Sequence, residues 1–366
     1  MIASGEEVPS FFGAAAPMTN IGELTTEGWE IGADFRHVFS NGLKLGVTAN
    51  LSDALSTITK HRNGLNTALD GSNYKGKIYG EIWGFETDGF YTKNDFAYDS
   101  DGDRIYYSYD ADNNKVFGKS GNYSAMANGV PSQERLEAAY GWFQLMPGDI
   151  KYKDLNGDGK IDWGDNTPEK PGDMKRIGNS TPRYEYNSRI SLEWKGVDFE
   201  LFIQGVGKRD YWGTGTMMIP GWNFAEATFF AHQTNYWTEE NPNAFYPRLA
   251  PMQQPSQYSR AAALNFMPQT KYLLDMSYCR IKNITLGYNL PSQVLRTIKA
   301  DRLRIYASLE NIFEFTRLGD IPLDPETGVD SGGVGGNMSF GDGGAMGFGR
   351  VYPFTRSISF GVQLKF

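Results

Sequence analysis

The chain is built from short stretches in which every second residue is apolar. In Ser357–Phe366, Ile358, Phe360, Val362, Leu364 and Phe366 occupy one set of positions, and Ser357, Ser359, Gly361, Gln363 and Lys365 the other. Side chains alternate across a strand, so this segment predicts a β-strand with one greasy face and one wet face. A strand of roughly ten residues tilted by about 45° also suffices to cross the hydrocarbon core of a bilayer. The same alternation recurs upstream. Trp29, Ile31, Ala33 and Phe35 oppose Glu30, Asp34 and Arg36; Leu43, Leu45, Val47, Ala49 and Leu51 oppose Lys44, Thr48, Asn50 and Ser52. Ile190, Leu192 and Trp194 form a third stripe and Val197, Phe199, Leu201 and Ile203 a fourth. Further stripes follow at Ile284, Leu286, Tyr288 and Leu290, and at Leu303, Ile305, Ala307 and Leu309. Segment 76–92 is strand-like but less regular, and the reading comes to about eight to ten strands.

The connections alternate between short and long. Lys195-Gly196 and Pro291–Asp301 are short, whereas 93–182, 210–270 and the Gly-rich 318–352 are long and carry little periodicity. Short turns on one side and long loops on the other are the habit of a transmembrane barrel, whereas long loops are uncommon in compact soluble domains. If the last strand runs inward, the three long segments fall on the outer side. The tight turn Phe39-Ser40-Asn41-Gly42 then lands on the wrong side by one, which points to a further strand within 53–95. A soluble β-sandwich remains open on alternation alone.

Composition adds to the membrane reading. Of 366 residues, 21 are Tyr, 23 Phe, 8 Trp and 43 Gly, a supply of aromatics and turn residues suited to many strands. Mean hydropathy is −0.47, and no apolar run is long enough for a transmembrane helix. A barrel alternates lipid-facing and lumen-facing residues, so its average looks soluble. The net charge of −8 and absence of a basic stripe argue against nucleic acid. Cys279 is the single cysteine, which excludes an intrachain disulfide framework, and His37, His61 and His232 are too far apart for a histidine metal or nucleophile site. Phe11–Ala16 looks like a scrap of signal peptide, but Glu6 and Glu7 stand where basic residues belong, so it reads as a loop. An exported barrel without an export signal leads to the expectation that the chain is a carboxyl-terminal piece of a longer protein.

Several motifs resemble one family. Tyr278-Cys279-Arg280-Ile281-Lys282-Asn283-Ile284-Thr285-Leu286-Gly287-Tyr288-Asn289-Leu290-Pro291 is similar to a signature of SusC/RagA proteins, TonB-dependent outer-membrane nutrient transporters of Bacteroidetes-type bacteria. Leu303–Phe313, Asp324-Pro325-Glu326, Tyr352-Pro353, Pro147–Gly159 and Arg176-Ile177-Gly178 before Pro182 match in the same order, from about residue 20 onward. The resemblance implies an all-β fold: an antiparallel transmembrane β-barrel segment with long extracellular loops. Residues 1–366 would be the carboxyl-terminal portion of a TonB-dependent receptor barrel of about 22 strands, with its plug domain and early strands absent. It further implies outer-membrane lipid around the barrel of a Gram-negative, Bacteroidetes-type bacterium, a SusD-like surface lipoprotein as lid, and coupling to TonB through the missing amino-terminal part. The cargo would be an oligosaccharide or oligopeptide. A non-transporting surface β-protein, such as an adhesin or glycan-binding module, is the alternative.

Candidate chemistry lies in the loops. Residues 154–165 follow the spacing of an EF-hand calcium loop, with Asp154, Asn156 and Asp158 at the first oxygen positions, Gly159 at the turn, the Lys160 carbonyl, and Asp162. Asp165 stands at the last position where an EF-hand carries Glu, and no helices flank the loop. The expectation is a structural Ca2+ that pins the loop, beside the alternative of a metal-free turn stitched by side-chain hydrogen bonds. Asp99, Asp101 and Asp103 read as a solvated acidic loop, because Arg104 replaces the glycine. Within 210–270, Trp212, Trp222, Tyr236, Trp237 and Tyr246 are candidates for contact with substrate or partner, with an interfacial girdle or self-packing as the other use. Gly332–Gly349 lacks the Lys-Ser/Thr pair of a phosphate loop. No acid/base pair or nucleophile is held by rigid elements, so no catalytic residues are assigned and no enzyme is expected.

Overall fold

The computed structural model describes residues 2–4, 18–20, 22–61, 73–139, 144–213, 217–220, 229–249, 264–297, 299–326 and 354–366. Its largest element is a seven-stranded sheet. The strands are β1 (Gly22–Val38), β2 (Lys44–His61), β3 (Arg183–Trp194), β4 (Val197–Lys208), β5 (Tyr278–Asn289), β6 (Arg302–Thr316) and β7 (Ser357–Lys365). Each pairs antiparallel with its neighbours in sequence, so the sheet order is the chain order.

The register turns the sequence alternation into rows. Phe35, Val47, Ile190, Leu201, Ile284, Leu309 and Ile358 are successive cross-strand partners, one per strand. One residue along, Arg36, Gly46, Ser191, Glu200, Thr285, Ser308 and Ser359 make the adjoining row on the opposite face. A one-residue slip of any strand would mix the two rows, so register is strongly specified.

Tight connections close the hairpins at one end. Between β3 and β4, Lys195 and Gly196 adopt φ of 47° and 87°, the paired positive values that suit a two-residue hairpin loop. The β1–β2 turn is held by the Leu43 amide donating to Asn41 Oδ1 at 3.1 Å. The β5–β6 connection contains a short helix, Ser292–Thr297. These three connections share one end, and the excursions 62–182, 209–277 and 317–356 all leave from the other. Among the described residues no further strand from 53–95 joins the sheet; Ile78 makes only an isolated antiparallel bridge to Thr57 of β2. β2 itself runs through 53–61 and pairs directly with β3. Segment 76–92 instead supplies Glu81–Phe85 and Thr87–Phe90, which pair with Met174–Asn179 and Ile150–Tyr152 away from the sheet. Among the described residues the sheet thus has seven strands, against the eight to ten expected, and Phe39–Gly42 lies at the same end as the other turns.

The long excursions do not hang as separate loops. Phe85, Tyr91, Leu136, Leu145, Ile150 and Tyr152 from the first meet Tyr246, Leu264, Phe266, Tyr272 and Leu274 from the second, and Leu318 and Leu323 from the third, in one buried core. Hydrogen bonds from backbone amides tie the pieces: the Phe85 amide donates to the Pro268 carbonyl at 2.8 Å, and the Ile150 amide to the side-chain Oδ1 of Asn265 at 2.8 Å. This packed cap holds the chain's main core. The sheet's apolar row contains no buried side chain at all.

A charge cluster fastens the cap to the sheet. Arg280 on β5 is 2% exposed and pairs with Glu314 on β6 and with Asp324 and Glu326 beyond it, the latter two at 2.8 Å. Lys282 reaches Glu326 at 2.7 Å. A bulge in β6 makes room for this, with Asn311 and Ile312 set against Lys282 and Asn311 at a φ of 51° that asparagine tolerates. Arg280→Met strands these carboxylates and should cost about 3–5 kcal/mol. Hydrogen exchange at residues 318–326 should rise selectively; unchanged protection there would refute the clamp.

Candidate functional site: a polar sheet face beneath a packed cap

The wet face of the sheet is a lattice of cross-strand polar pairs. Lys44 Nζ donates to Glu193 at 2.8 Å, Thr48 Oγ1 to Asp34 at 2.8 Å, and Asn50 to Asn187 at 3.1 Å. Further along, Asn289 and Arg304 Nε both donate to Asp198 at 3.0 Å, and Asn283 donates to Ser308 at 2.9 Å. A cleft at the turn end is lined by Lys44, Glu193, Asp198, Glu200, Thr285 and Arg304. Both signs of charge alternate across it. Such a wall can pass or hold polar solutes.

The other face is apolar and open. Phe360 is 83% exposed, Ile31 61% and Leu286 53%, spanning both edges and the middle of the sheet.

The 154–165 loop forms a compact turn. Asp154 accepts from the amides of Gly157 at 2.6 Å and Gly159 at 2.8 Å; Asn156 Oδ1 accepts from the Asp158 amide and Asp158 Oδ1 from that of Lys160. Asp162 accepts from the Gly164 amide at 2.6 Å. Asp165 is turned outward to Lys170 at 3.2 Å. Loop closure falls to a residue that the motif spacing does not include: Asp173, fully buried, accepts from the amides of Leu155 at 2.8 Å and Asp162 at 2.9 Å. Burial raises its pKa above the usual carboxylate value, and nearby Asp154 adds to the shift. Among the described residues no three His, Cys, Asp or Glu side chains gather as a metal-holding group.

Of the aromatic candidates, Trp222 lies outside the described residues. Tyr236 and Tyr246 form a bridge, and the Trp237 amide donates to Tyr246 O at 3.0 Å, so these three come together. Trp237 covers the Gly148 turn, where an added Cβ would approach its ring to 2.3 Å. Trp212 lies on the separate short strand Asp210–Trp212 and packs against the cap core. Self-packing therefore absorbs much of this set. Only the tertiary structure reveals Glu137, whose carboxylate accepts from Ser124 Oγ at 2.9 Å and the Leu145 amide at 3.1 Å.

The chain as a whole is similar to known proteins. TonB-dependent receptor P3 of Formosa agariphila is 24% identical to this chain over 375 residues, covering 98% of the chain and 30% of that protein. Its relatives are TonB-dependent receptors. TonB-dependent receptor P26 of the same organism is 28% identical over 240 residues, covering 64% of this chain and 21% of P26. The chain thus spans under a third of the length of these relatives. The solved RagAB peptide transporter shares its fold with a TM-score of 0.57 at 17% identity, over 98% of this chain and 31% of that one. For the RagAB peptide importer in its open-open state the TM-score is 0.59 at 17% identity, over 100% and 31%. No family model matches the chain.

Burial pushes the Glu137 carboxyl up to about 7 from a usual 4.5. Between those values the folded chain keeps a proton that the unfolded chain has released, so stability falls as pH rises through the window and levels off above it. Glu137→Gln should flatten that slope in thermal unfolding measured from pH 4 to 8. An undiminished slope would assign the dependence elsewhere.

Proposed function

We propose that the chain is the carboxyl-terminal part of the barrel, with its outer cap, of a TonB-dependent outer-membrane importer. The observation that carries this reading is the apolar row crossing all seven strands with no buried member, set against a continuous polar row on the other face. A sheet wet on one side and greasy on the other fits between a lumen and lipid. Aromatic levels support it. Trp29 and Phe39, and again Tyr184 and Trp194, are exposed pairs ten residues apart. At about 3.3 Å per residue and a tilt near 45°, that spacing rises roughly 23 Å, close to the apolar band of about 25 Å in such barrels. Among the described residues β1 and β7 each have one unpaired edge in the sheet, and lipid cannot satisfy open edges, so further strands of the same barrel complete it. The cargo is an oligosaccharide or oligopeptide, taken up beneath a SusD-like surface lipoprotein that meets the cap.

The 154–165 turn serves this cap as a structural calcium loop, with Asp154, Asn156, Asp158, the Lys160 carbonyl and Asp162 as ligands. Its support is the EF-hand spacing together with the Asp154 carboxylate, which the amides of Gly157 and Gly159 hold toward the loop. Millimolar calcium should protect 154–173 from proteolysis in the full-length protein, and Asp158→Ala should abolish that protection. Equal cleavage with calcium and with chelator would overturn the assignment.

Membrane insertion is tested by a pair of substitutions on adjoining rows. Leu201→Arg on the apolar row should cost about 2–4 kcal/mol and deplete the assembled protein from the outer membrane, while Glu200→Arg on the polar row should be tolerated. Equal tolerance would sink the sidedness. Transport is tested by uptake of fluorescent oligosaccharides and oligopeptides by cells that carry or lack the full-length protein. Uptake that survives loss of this protein, or loss of the proton gradient, would overturn the importer reading.

A further inference from the structure

A cavity of about 380 Å³ opens in the cap, apart from the polar sheet face and from the 154–165 turn. Its size lies in the range of small-molecule sites, about 300–1,000 Å³. Aromatic rings form its walls. Tyr246 and Tyr272 stack at 5.9 Å with 14° between their planes, and Phe245 meets them edge-on at 4.9 and 5.4 Å.

Two polar groups on this wall lack the partner that their chemistry asks for. Tyr246 is 0% exposed, and its hydroxyl has no hydrogen-bond partner among the described residues. The Lys271 ammonium lies 4.9 Å from the Phe90 ring and 5.7 Å from that of Phe245, with no carboxylate paired to it among the described residues. Burial alone lowers its pKa. The other charges are spent or remote: Arg317 pairs with Asp275 at 3.3 Å, and Asp320 is exposed at the rim. A buried hydroxyl without a partner and an unpaired ammonium, both on residues that line an aromatic-walled cavity, are an arrangement that a ligand, rather than the fold, would complete.

We propose that this cavity binds a small organic carboxylate carrying a ring, with the acid against Lys271 and Tyr246 and the ring against Phe245 and Tyr272. A carboxylate accepts a charge-assisted bond from the ammonium and offers its second oxygen to the phenol. The hydrocarbon face of a sugar ring and that of a benzene ring both fit an aromatic wall. An acidic sugar and an amino-acid carboxyl end therefore present the same chemistry. The inference does not depend on transport, because it is read by binding alone.

Calorimetry on the detergent-solubilised full-length protein tests it with two matched pairs: glucuronate beside glucose, and N-acetylphenylalanine beside its amide. At least one acid should bind, about tenfold or more tighter than its neutral partner, and the acid that binds identifies the source. Lys271→Met should erase that preference, Lys271→Arg should retain most of it, and Tyr246→Phe should weaken binding severalfold. Because Lys271→Met could disturb the ring cluster, the acid-to-neutral comparison on the unaltered protein decides independently. Neither acid binding, equal binding within both pairs, or a preference that persists in a folded Lys271→Met protein would overturn the proposal.

Discussion

The apolar face of the seven-stranded sheet has no protein to rest on among the described residues, and the rest of the structure follows from that constraint. A sheet normally gains its stability by burying one face against a second layer. Here Phe35, Val47, Ile190, Leu201, Ile284, Leu309 and Ile358 line up across every strand and none is buried. On the proposed reading lipid is the second layer. The sheet is then held by its backbone ladder and polar lattice, with the bilayer taking the place of a core.

The hydrophobic core has moved accordingly. It lies in the cap, where three excursions from one end of the sheet pool their aromatic and aliphatic side chains. No single excursion contains this core, which explains why each looks aperiodic along the chain. The cap is anchored by few but specific ties, notably the Arg280 cluster, which joins β5 and β6 to the segment after β6. Buried charge of this kind is costly unless fully paired, so it fixes geometry more than it adds net stability. A cap packed in this way presents fixed surfaces at the end of the sheet opposite the tight connections, among them the aromatic cavity around Tyr246.

How much was legible in sequence differs between the two parts. Strands β3 to β6 lie where the alternation put them, because a period of two is a local property that register cannot rewrite. The segment 76–92 misled the strand count, because its apolar residues face the cap core through short strands. Trp212, Tyr236, Trp237 and Tyr246 carried an aromatic signal but not its use, since self-packing and ligand contact draw on the same residue types. Asp173 and Lys271 carried no signal at all. Asp173 closes the 154–165 turn from beyond the motif, and Lys271 matters only because rings from distant segments surround it.

The sequence by itself determined the two-faced strands, their antiparallel hairpins and the resemblance to TonB-dependent receptors, because alternation and short motifs are written in contiguous residues. The tertiary structure alone decided that the excursions share one core, that all three tight connections lie at one end, and that Arg280 and Glu137 are buried, and Lys271 half-buried, in particular company. Burial and pairing depend on which distant segments meet, and no local pattern encodes that meeting.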